Sequence, residues 1–122
     1  MGCAIEVHKE LGPGLMESVY EKCLIHELKL RTHEVRSQIV IPVIYKGLNL
    51  DANLKLDLLF YELIIVKLKA IETIHPVFEA QLLSYLQLMK LPQGLLINFF
   101  SKNIKDSVRP LVNDFLRALP DF

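Results

Sequence analysis

Charged residues interrupt two apolar segments near the middle of the chain, each short enough to form one β-strand. Asp57 lies in segment 54–60, and Lys67 and Lys69 lie in segment 63–69. Successive side chains along a strand point to opposite faces, so these three can converge on one face of a hairpin. They form either an ion pair on a half-exposed sheet or a functional site, because buried charges are costly unless they are paired or used.

Strict alternation also predicts where the neighbours of these charges lie. In the first segment it gives one face of Leu56, Leu58 and Phe60, opposite Lys55, Asp57 and Leu59. In the second it gives one face of Ile64, Val66 and Leu68, opposite Ile65, Lys67 and Lys69. The charged faces of the two strands would then adjoin each other across a short hairpin.

Further polar residues suited to chemistry lie on two predicted helices. Gln81 and Tyr85 are four residues apart and share one face of the segment 76–89, which is apolar almost all round. Such a helix is expected to be buried, which leaves its polar side chains in need of partners. Glu17 and Tyr20 follow a Gly-Pro-Gly turn, and a glutamate there often only complements the helix dipole.

These residues are carried by helices and strands predicted in the order α-α-β-β-β-α-β-α, which is typical of an α+β or mixed α/β domain. Apolar spacing predicts helices at 3–11, 15–30, 76–89 and from 107 onward, the last with an apolar stripe of Val108, Leu111, Phe115 and Leu119. Composition predicts strands at 38–45, 54–60, 63–69 and 94–99, with tight turns at Lys46–Gly47 and Tyr61–Glu62. The helix 76–89 joins two strands as a crossover, so those strands are predicted to be parallel.

Composition restricts the class of protein. The 122 residues are 52% apolar with formal net charge zero, which predicts one folded domain over 1–122 and no global attraction to nucleic acid. No apolar run approaches the ~18 residues that span a bilayer, so we expect a soluble, cytoplasmic protein without membrane contact. Cys23 and His26 share a helical face, but two such ligands make a poor metal site, and buried core is the simpler interpretation of the cysteine.

Several motifs resemble those of one family of small bacterial and archaeal proteins. Gly14-Leu-Met-Glu17-Ser-Val-Tyr20 is similar to the G-x-x-E-x-x-Y signature that names the family, and LDLLF, IIVKLKA, HPVFEAQLLSYL and GLLINF follow in the family's order. This family is assigned to the PD-(D/E)XK nuclease superfamily. The resemblance implies a restriction-endonuclease-like α-β-β-β-α-β core, with a mixed four-stranded sheet flanked by helices. The chain begins later than the family usually does, so we expect a shortened N-terminal helix.

The resemblance implies a catalytic role for five residues. Asp57 and Glu17 would hold a divalent metal, Mg²⁺ or Mn²⁺, and Lys69 would position the attacking water and stabilise charge on the scissile phosphate. Gln81 and Tyr85 would line the same site. DNA or RNA is the implied substrate.

One position departs from the family pattern. Lys67 stands in the segment VKLK where the family has V-E-L-K, so a cation replaces the second metal-binding carboxylate. At ~4 Å and an effective dielectric of ~20, an ammonium opposes each unit of metal charge by roughly 4 kcal/mol. We therefore predict that metal binding is weak or absent and that the chain is an inactive or very weak nuclease. Either Glu72 or Glu79 replaces the lost ligand, or Lys67 itself takes the metal's place and pairs with Asp57 and Glu17; the second interpretation is favoured.

Two function hypotheses follow. The first is a nuclease-fold protein related to metal-dependent phosphodiester hydrolases but catalytically impaired. The second is a non-catalytic nucleic-acid-binding or protein-interaction module that offers Lys55 and Lys67 to a phosphate backbone. Apolar residues at Phe99–Phe100 and at 119–122 could serve a homodimer, although ordinary core and a frayed terminus explain them equally well.

Overall fold

A computed structural model of the chain describes residues 1–50 and 54–113. The helices are α1 (Gly2–Leu11), α2 (Glu17–Leu30) and α3 (Pro76–Met89), with a 3-10 helix at Ile104–Ser107. The strands are β1 (Val35–Val40), β2 (Val43–Tyr45), β3 (Leu48–Leu50), β4 (Lys55–Phe60), β5 (Ile64–Lys69), β6 (Gln93–Asn98) and β7 (Val108–Val112). None of the helices in these ranges is both long and apolar enough to cross a membrane.

The main sheet has five strands in the order β1-β4-β5-β6-β7. The β5–β6 pair is parallel and the other pairs are antiparallel, which confirms the crossover predicted for α3. The α-β-β-β-α-β core is present, but the sheet is one strand larger than the predicted four. Strand β6 lies between two neighbours and is largely buried, as its apolar sequence predicts.

The additional strand corrects the helix predicted from residue 107 onward. Val108–Val112 pairs with β6 as an edge strand, and Ile104–Ser107 forms a 3-10 helix instead of the first helical turn. Pro110 fits such a strand, because an edge position does not require every backbone N–H to donate to the sheet. Phe115 and Leu119, which complete the predicted stripe, lie outside the described residues.

The predicted strand 38–45 is divided between two strands that belong to separate sheets. Strand β1 ends at Val40, and β2 and β3 form a separate two-stranded ribbon. Ile41, at the break, is 2% exposed and its backbone N–H donates to Leu54 O at 2.8 Å. The predicted turn at Lys46–Gly47 is confirmed. Both residues have a positive φ, 47° and 86°, as in the two-residue hairpin turns whose twist matches that of the flanking strands.

Helices cover both faces of the sheet. On one side α1 and α2 pack on a cluster that includes Leu58, Val66 and Leu68, and on the other α3 packs on a cluster that includes Leu56 and Leu59. We refer to these as the α1/α2 face and the α3 face. The two clusters form the core. Each Å² of apolar surface that they bury stabilises the folded state by roughly 25 cal/mol.

Helix α3 is half exposed, which corrects the expectation that it is buried all round. Leu82 and Leu86 are its fully buried residues, whereas Leu83 is 42% exposed. Pro76 opens the helix and the His75 side chain accepts a hydrogen bond from the Val77 N–H, so the predicted start is confirmed. A single face of the helix therefore supplies its packing on the sheet.

Candidate functional site

The pairing of β4 with β5 stops where Asp57 begins. The ladder runs from Phe60 opposite Ile64 to Leu58 opposite Val66. Beyond the ladder, a side-chain hydrogen bond replaces backbone pairing: Asp57 Oδ2 accepts a hydrogen bond from the Leu68 backbone N–H at 3.0 Å. The carboxylate thus satisfies a backbone donor that the neighbouring strand leaves unpaired.

The same point of the sheet is irregular on the other side of β4. Gln38 lies between the paired residues Ser37 and Ile39 of β1 but is itself unpaired with β4, and it has a φ of 51°. Its side-chain Nε2 donates to Glu21 Oε1 of α2 at 2.7 Å. A positive φ in a residue other than glycine is uncommon and is found most often where neighbouring contacts impose it.

This irregularity changes the faces predicted by strict alternation. Leu58 and Phe60 lie on the α1/α2 face as predicted, but Leu56 packs on the α3 face with Leu59. Asp57 accordingly lines a cavity with residues of α2 and with Leu68, on the α1/α2 face. The alternation predicted for β5 is confirmed for its apolar residues, since Ile64, Val66 and Leu68 lie on the α1/α2 face and Ile65 on the other.

Lys67 contacts the carboxylate of Asp57. Its Nζ lies 3.6 Å from Asp57 Oδ2, and the side chains are 19% and 22% exposed respectively. Partial burial strengthens such a pair over one on the open surface, because less water screens it. Asp57 Oδ2 therefore faces both an ammonium and a backbone N–H.

Glu17 is positioned by the turn that precedes α2. Tyr20 is fully buried, and its hydroxyl donates to Gly12 O at 2.5 Å and accepts from the Leu15 N–H at 3.0 Å. Its ring stacks on Phe99 with 4.4 Å between centroids. Tyr20 thus fastens the Gly-Pro-Gly turn to the core, and Glu17 follows this fixed turn as the first residue of the helix.

The cavity beside Asp57 is small, open and acidic. It has a volume of about 190 Å³ and is lined by Glu17, Ser18, Glu21, Asp57 and Leu68. Sequence reasoning named Glu17 and Asp57 but missed Glu21. The four-residue spacing of Glu17 and Glu21 was the available signal, because it places both on one face of a helix.

Other predicted site residues lie elsewhere. Lys69 Nζ lies 4.0 Å from the ring centroid of Phe78, on the α3 face. Tyr85 is half buried against the α3-face cluster, and Gln81 is exposed on the same helix. Lys55 is exposed at the start of β4. The structure thus brings Glu17 and Asp57 to one cavity and Lys67 to Asp57, while Lys69, Gln81 and Tyr85 line no part of that cavity.

A larger cavity of about 300 Å³ lies between α3, β6 and β7. Glu79 and Arg109 line it and form an ion pair of 2.8 Å. Asn98, also in its wall, is 7% exposed, and its amide group bonds the backbone of Ile71 and Phe100. These polar groups already have partners within the chain, which indicates a structural role.

The donor set around Asp57 does not fit a divalent metal. Across residues 1–50 and 54–113, no three side chains of His, Cys, Asp or Glu are placed so that they could hold a metal ion together. Glu79 is paired with Arg109, and Glu72 is exposed in the loop after β5. Mg²⁺ requires oxygen ligands, and Lys67 offers Asp57 an ammonium in their place.

A mixed sheet with α1 and α2 on one face and α3 on the other is an architecture of restriction-endonuclease-like proteins, and a carboxylate at the break between its central strands is consistent with that class. A family model described as the PD-(D/E)XK nuclease superfamily matches residues 1–111. The chain belongs to this superfamily, whose members generally use Mg²⁺ or Mn²⁺ on nucleic-acid substrates. No curated protein and no solved structure matches it significantly.

Proposed function

We propose that the chain is a nuclease-fold protein in which metal-dependent cleavage of phosphodiesters is impaired. The observation that carries this proposal is the contact of 3.6 Å between Lys67 Nζ and Asp57 Oδ2. Lys67 occupies the second carboxylate position of the family pattern, so the chain lacks one oxygen ligand and has a cation beside the remaining one.

Electrostatics supports the impairment. Relative to a glutamate, Lys67 changes the local charge by two units, in the direction that repels a divalent cation. The ammonium also neutralises Asp57, the residue that the resemblance assigns to the metal. A cation that bound Asp57 would therefore have to do so against the repulsion of this ammonium.

The narrower assignment rests on motifs. Gly14, Glu17 and Tyr20 reproduce the G-x-x-E-x-x-Y signature, and we propose membership of that family, as one cytoplasmic domain over residues 1–122. The buried, doubly bonded hydroxyl of Tyr20 gives the tyrosine of the signature a physical role. Glu17, Asp57, Lys69, Gln81 and Tyr85 are the proposed remnants of the catalytic set.

A second candidate is a non-catalytic module that binds DNA or RNA. The exposed Lys55 at the start of β4 favours it, because an exposed lysine is available to a phosphate backbone. Lys67 would contribute to phosphate binding only if its contact with Asp57 were broken. The acidic cavity lined by Glu17 and Glu21 opposes phosphate binding at its mouth, so contacts would have to centre on Lys55.

The experiment is a cleavage assay on single- and double-stranded DNA and RNA with Mg²⁺ or Mn²⁺. It compares the native chain with Asp57→Ala, with Lys67→Glu and with the two changes combined. Lys102→Glu, at an exposed loop position, makes the same change of charge away from the cavity and serves as the control.

We expect cleavage by Lys67→Glu alone, which would show a nuclease scaffold impaired at one ligand. Efficient cleavage by the native chain, abolished by Asp57→Ala, would overturn the impairment. If no variant cuts but the native chain binds nucleic acid and Lys55→Glu weakens that binding, the second candidate replaces the first.

A further inference from the structure

The cavity of about 300 Å³ between α3, β6 and β7 combines an apolar lining with polar side chains of several kinds. Its volume falls at the lower end of the ~300–1,000 Å³ typical of ligand pockets. Ile74, Leu96 and Val108 supply apolar surface, and the remaining lining residues are polar or charged. An apolar lining with a few polar groups is the usual composition of a site for a small organic group.

The polar walls of this cavity are fixed by contacts within the chain. The ion pair of Glu79 with Arg109, 2.8 Å long, joins α3 to β7 across the cavity. The side chain of Asn103 accepts a backbone hydrogen bond in the first turn of the 3-10 helix that carries Asp106 and Ser107. A cavity that is already formed requires little rearrangement when a ligand binds.

Two polar side chains of the wall are not used by the fold. Among residues 1–50 and 54–113, the Asp106 carboxylate and the Ser107 hydroxyl have no hydrogen-bond or ion-pair partner. The carboxylate accepts hydrogen bonds and the hydroxyl can donate one, so the two suit a ligand that presents both donors and acceptors. Arg109 is paired through one nitrogen only, and its planar guanidinium group can also stack on a ring.

The charge of the cavity favours a neutral ring over an anion. The carboxylates of Asp106 and Glu79 outweigh the single guanidinium of Arg109, which disfavours a phosphate inside the cavity. A nucleobase has N–H groups for a carboxylate, ring acceptors for a hydroxyl and flat faces for apolar and guanidinium groups. An unpaired base therefore matches the chemistry of the wall.

The strand register places the cavity beside the two lysines of β5. Lys67 pairs with Leu96 and Lys69 pairs with Asn98, and both of these β6 residues line the cavity. Neighbouring strands lie ~4.8 Å apart, and paired residues share a face of the sheet. Lys69 is thus a cation next to the cavity, suited to the phosphate of a nucleotide whose base is inside.

We propose that this cavity binds one unpaired base of a single-stranded nucleic acid. Asp106 and Ser107 bond the edge of the base that pairing would occupy, Arg109 stacks on its ring, and Lys69 contacts the adjoining phosphate. A base in a duplex enters such a cavity only after it leaves the stack and its pairing partner, which costs free energy. The inference takes the substrate class, nucleic acid, from the proposed function and does not require cleavage.

The test is the binding of labelled DNA to the native chain, followed by fluorescence anisotropy without divalent cations. The probes are a single strand of mixed sequence, the same strand in a blunt duplex, and a strand of equal length built from abasic residues. The abasic strand keeps the phosphates, so it separates recognition of the base from attraction to the backbone. We expect the intact single strand to bind about tenfold more tightly than either of the other two probes.

The sign of the effect of Asp106→Ala distinguishes base recognition from electrostatics. Loss of a carboxylate should by itself favour binding of a polyanion. We expect the opposite, an increase of about tenfold in the Kd of the single strand, because an acceptor for the base is lost. Glu34→Ala removes an exposed carboxylate just before β1 and is the matched control, with Kd expected to be unchanged or lower.

Three results would overturn the inference: equal affinity of the native chain for all three probes, no binding of the single strand, or binding by Asp106→Ala as tight as that of the native chain. Each leaves the proposed function to its own test, since cleavage of duplex DNA by Lys67→Glu does not need this cavity. Displacement of the strand by a free nucleoside at a concentration near the strand's own Kd would also overturn it and assign the cavity to a free nucleoside.

Cross-linking of the native chain gives a second test that needs no variant. A single strand with one photoreactive base should become attached within residues 74–79 or 96–109, the segments that line the cavity. Attachment confined to α1 or α2, on the other face of the sheet, would overturn the inference.

Discussion

The Nζ of Lys67 lies 3.6 Å from the Oδ2 of Asp57, at the point where strands β4 and β5 cease to pair. The same oxygen accepts the backbone N–H of Leu68. This carboxylate is thus part of the strand-to-strand connection and is already neutralised by the chain.

Divalent cations should not stabilise the native chain. Titration with Mg²⁺ or Mn²⁺ should leave its Tm unchanged, because Lys67 neutralises Asp57. Lys67→Glu should be less stable without metal, since it adds a carboxylate near Asp57, and its Tm should rise with metal. Saturation at 100 times Kd would contribute about 2.7 kcal/mol. A rise of Tm in the native chain equal to that of the variant would contradict the prediction, and Lys102→Glu controls for the change of charge.

Removal of the Asp57 carboxylate should destabilise the fold. Asp57→Ala leaves Lys67 without its partner and the Leu68 N–H without its acceptor, at a cost of about 1–3 kcal/mol. Asp57→Asn retains an oxygen acceptor and should cost less. The free energy of unfolding from urea titration measures both. Glu72→Ala, an exposed carboxylate after β5, is the matched control, and an equal effect there would argue against the structural role.

The hydroxyl of Tyr20 should stabilise the turn before α2. Tyr20→Phe keeps the ring stacked on Phe99 but leaves Gly12 O and the Leu15 N–H unpaired, which should cost about 1–3 kcal/mol. Hydrogen exchange at the Leu15 amide should accelerate more than exchange in the sheet. Tyr45→Phe removes a hydroxyl from an exposed ring and should leave stability nearly unchanged. Equal stability of the two variants would show that the hydroxyl is dispensable.

Gly94 should accept a larger residue only if the side chain of Leu82 moves by a few tenths of an ångström. A Cβ there would lie 3.1 Å from three side-chain atoms of Leu82, which is 1% exposed. Gly94→Ala should therefore lower the free energy of unfolding by about 1–3 kcal/mol. Gly14→Ala, where a Cβ would meet no atom within 4 Å, is the control and should change stability little.

A double-mutant cycle tests whether the contact with Leu82 causes the destabilisation expected in Gly94→Ala. Leu82→Val should cost less in the Gly94→Ala background than in the native chain, because the two residues are in contact and their effects do not add. Additive effects would indicate that the alanine acts through another neighbour.

Local sequence patterns predicted much of the fold. The limits of α3 follow from Pro76 and a continuous apolar segment, and the turn at Tyr61–Glu62 is confirmed by positive φ values of 52° and 57°. The segment Val108–Val112 was wrongly predicted as a helix. Its apolar residues fit helical spacing, and the unpaired edge of β6, a tertiary feature, makes it a strand.

The site could be predicted only in part, because its geometry also depends on contacts between elements that are distant in the sequence. Sequence spacing places Asp57 and Lys67 on adjacent strands, and the two are in contact. Strict alternation could not predict that Leu56 changes face, because the alternation of β4 is interrupted at Asp57, beside Gln38 of β1 with its φ of 51°. The convergence of Glu21 and Asp57 likewise depends on how α2 docks on the sheet.

The connection between β4 and β5 has a consequence for the order of folding. This pair is closed by a turn of a few residues, whereas β1–β4 and β5–β6 enclose the ribbon and α3 respectively. Short loops cost less chain entropy to close and form sooner than long ones. The β4–β5 hairpin is therefore expected to nucleate the sheet, so Asp57 and Lys67 would meet before the helices dock around them.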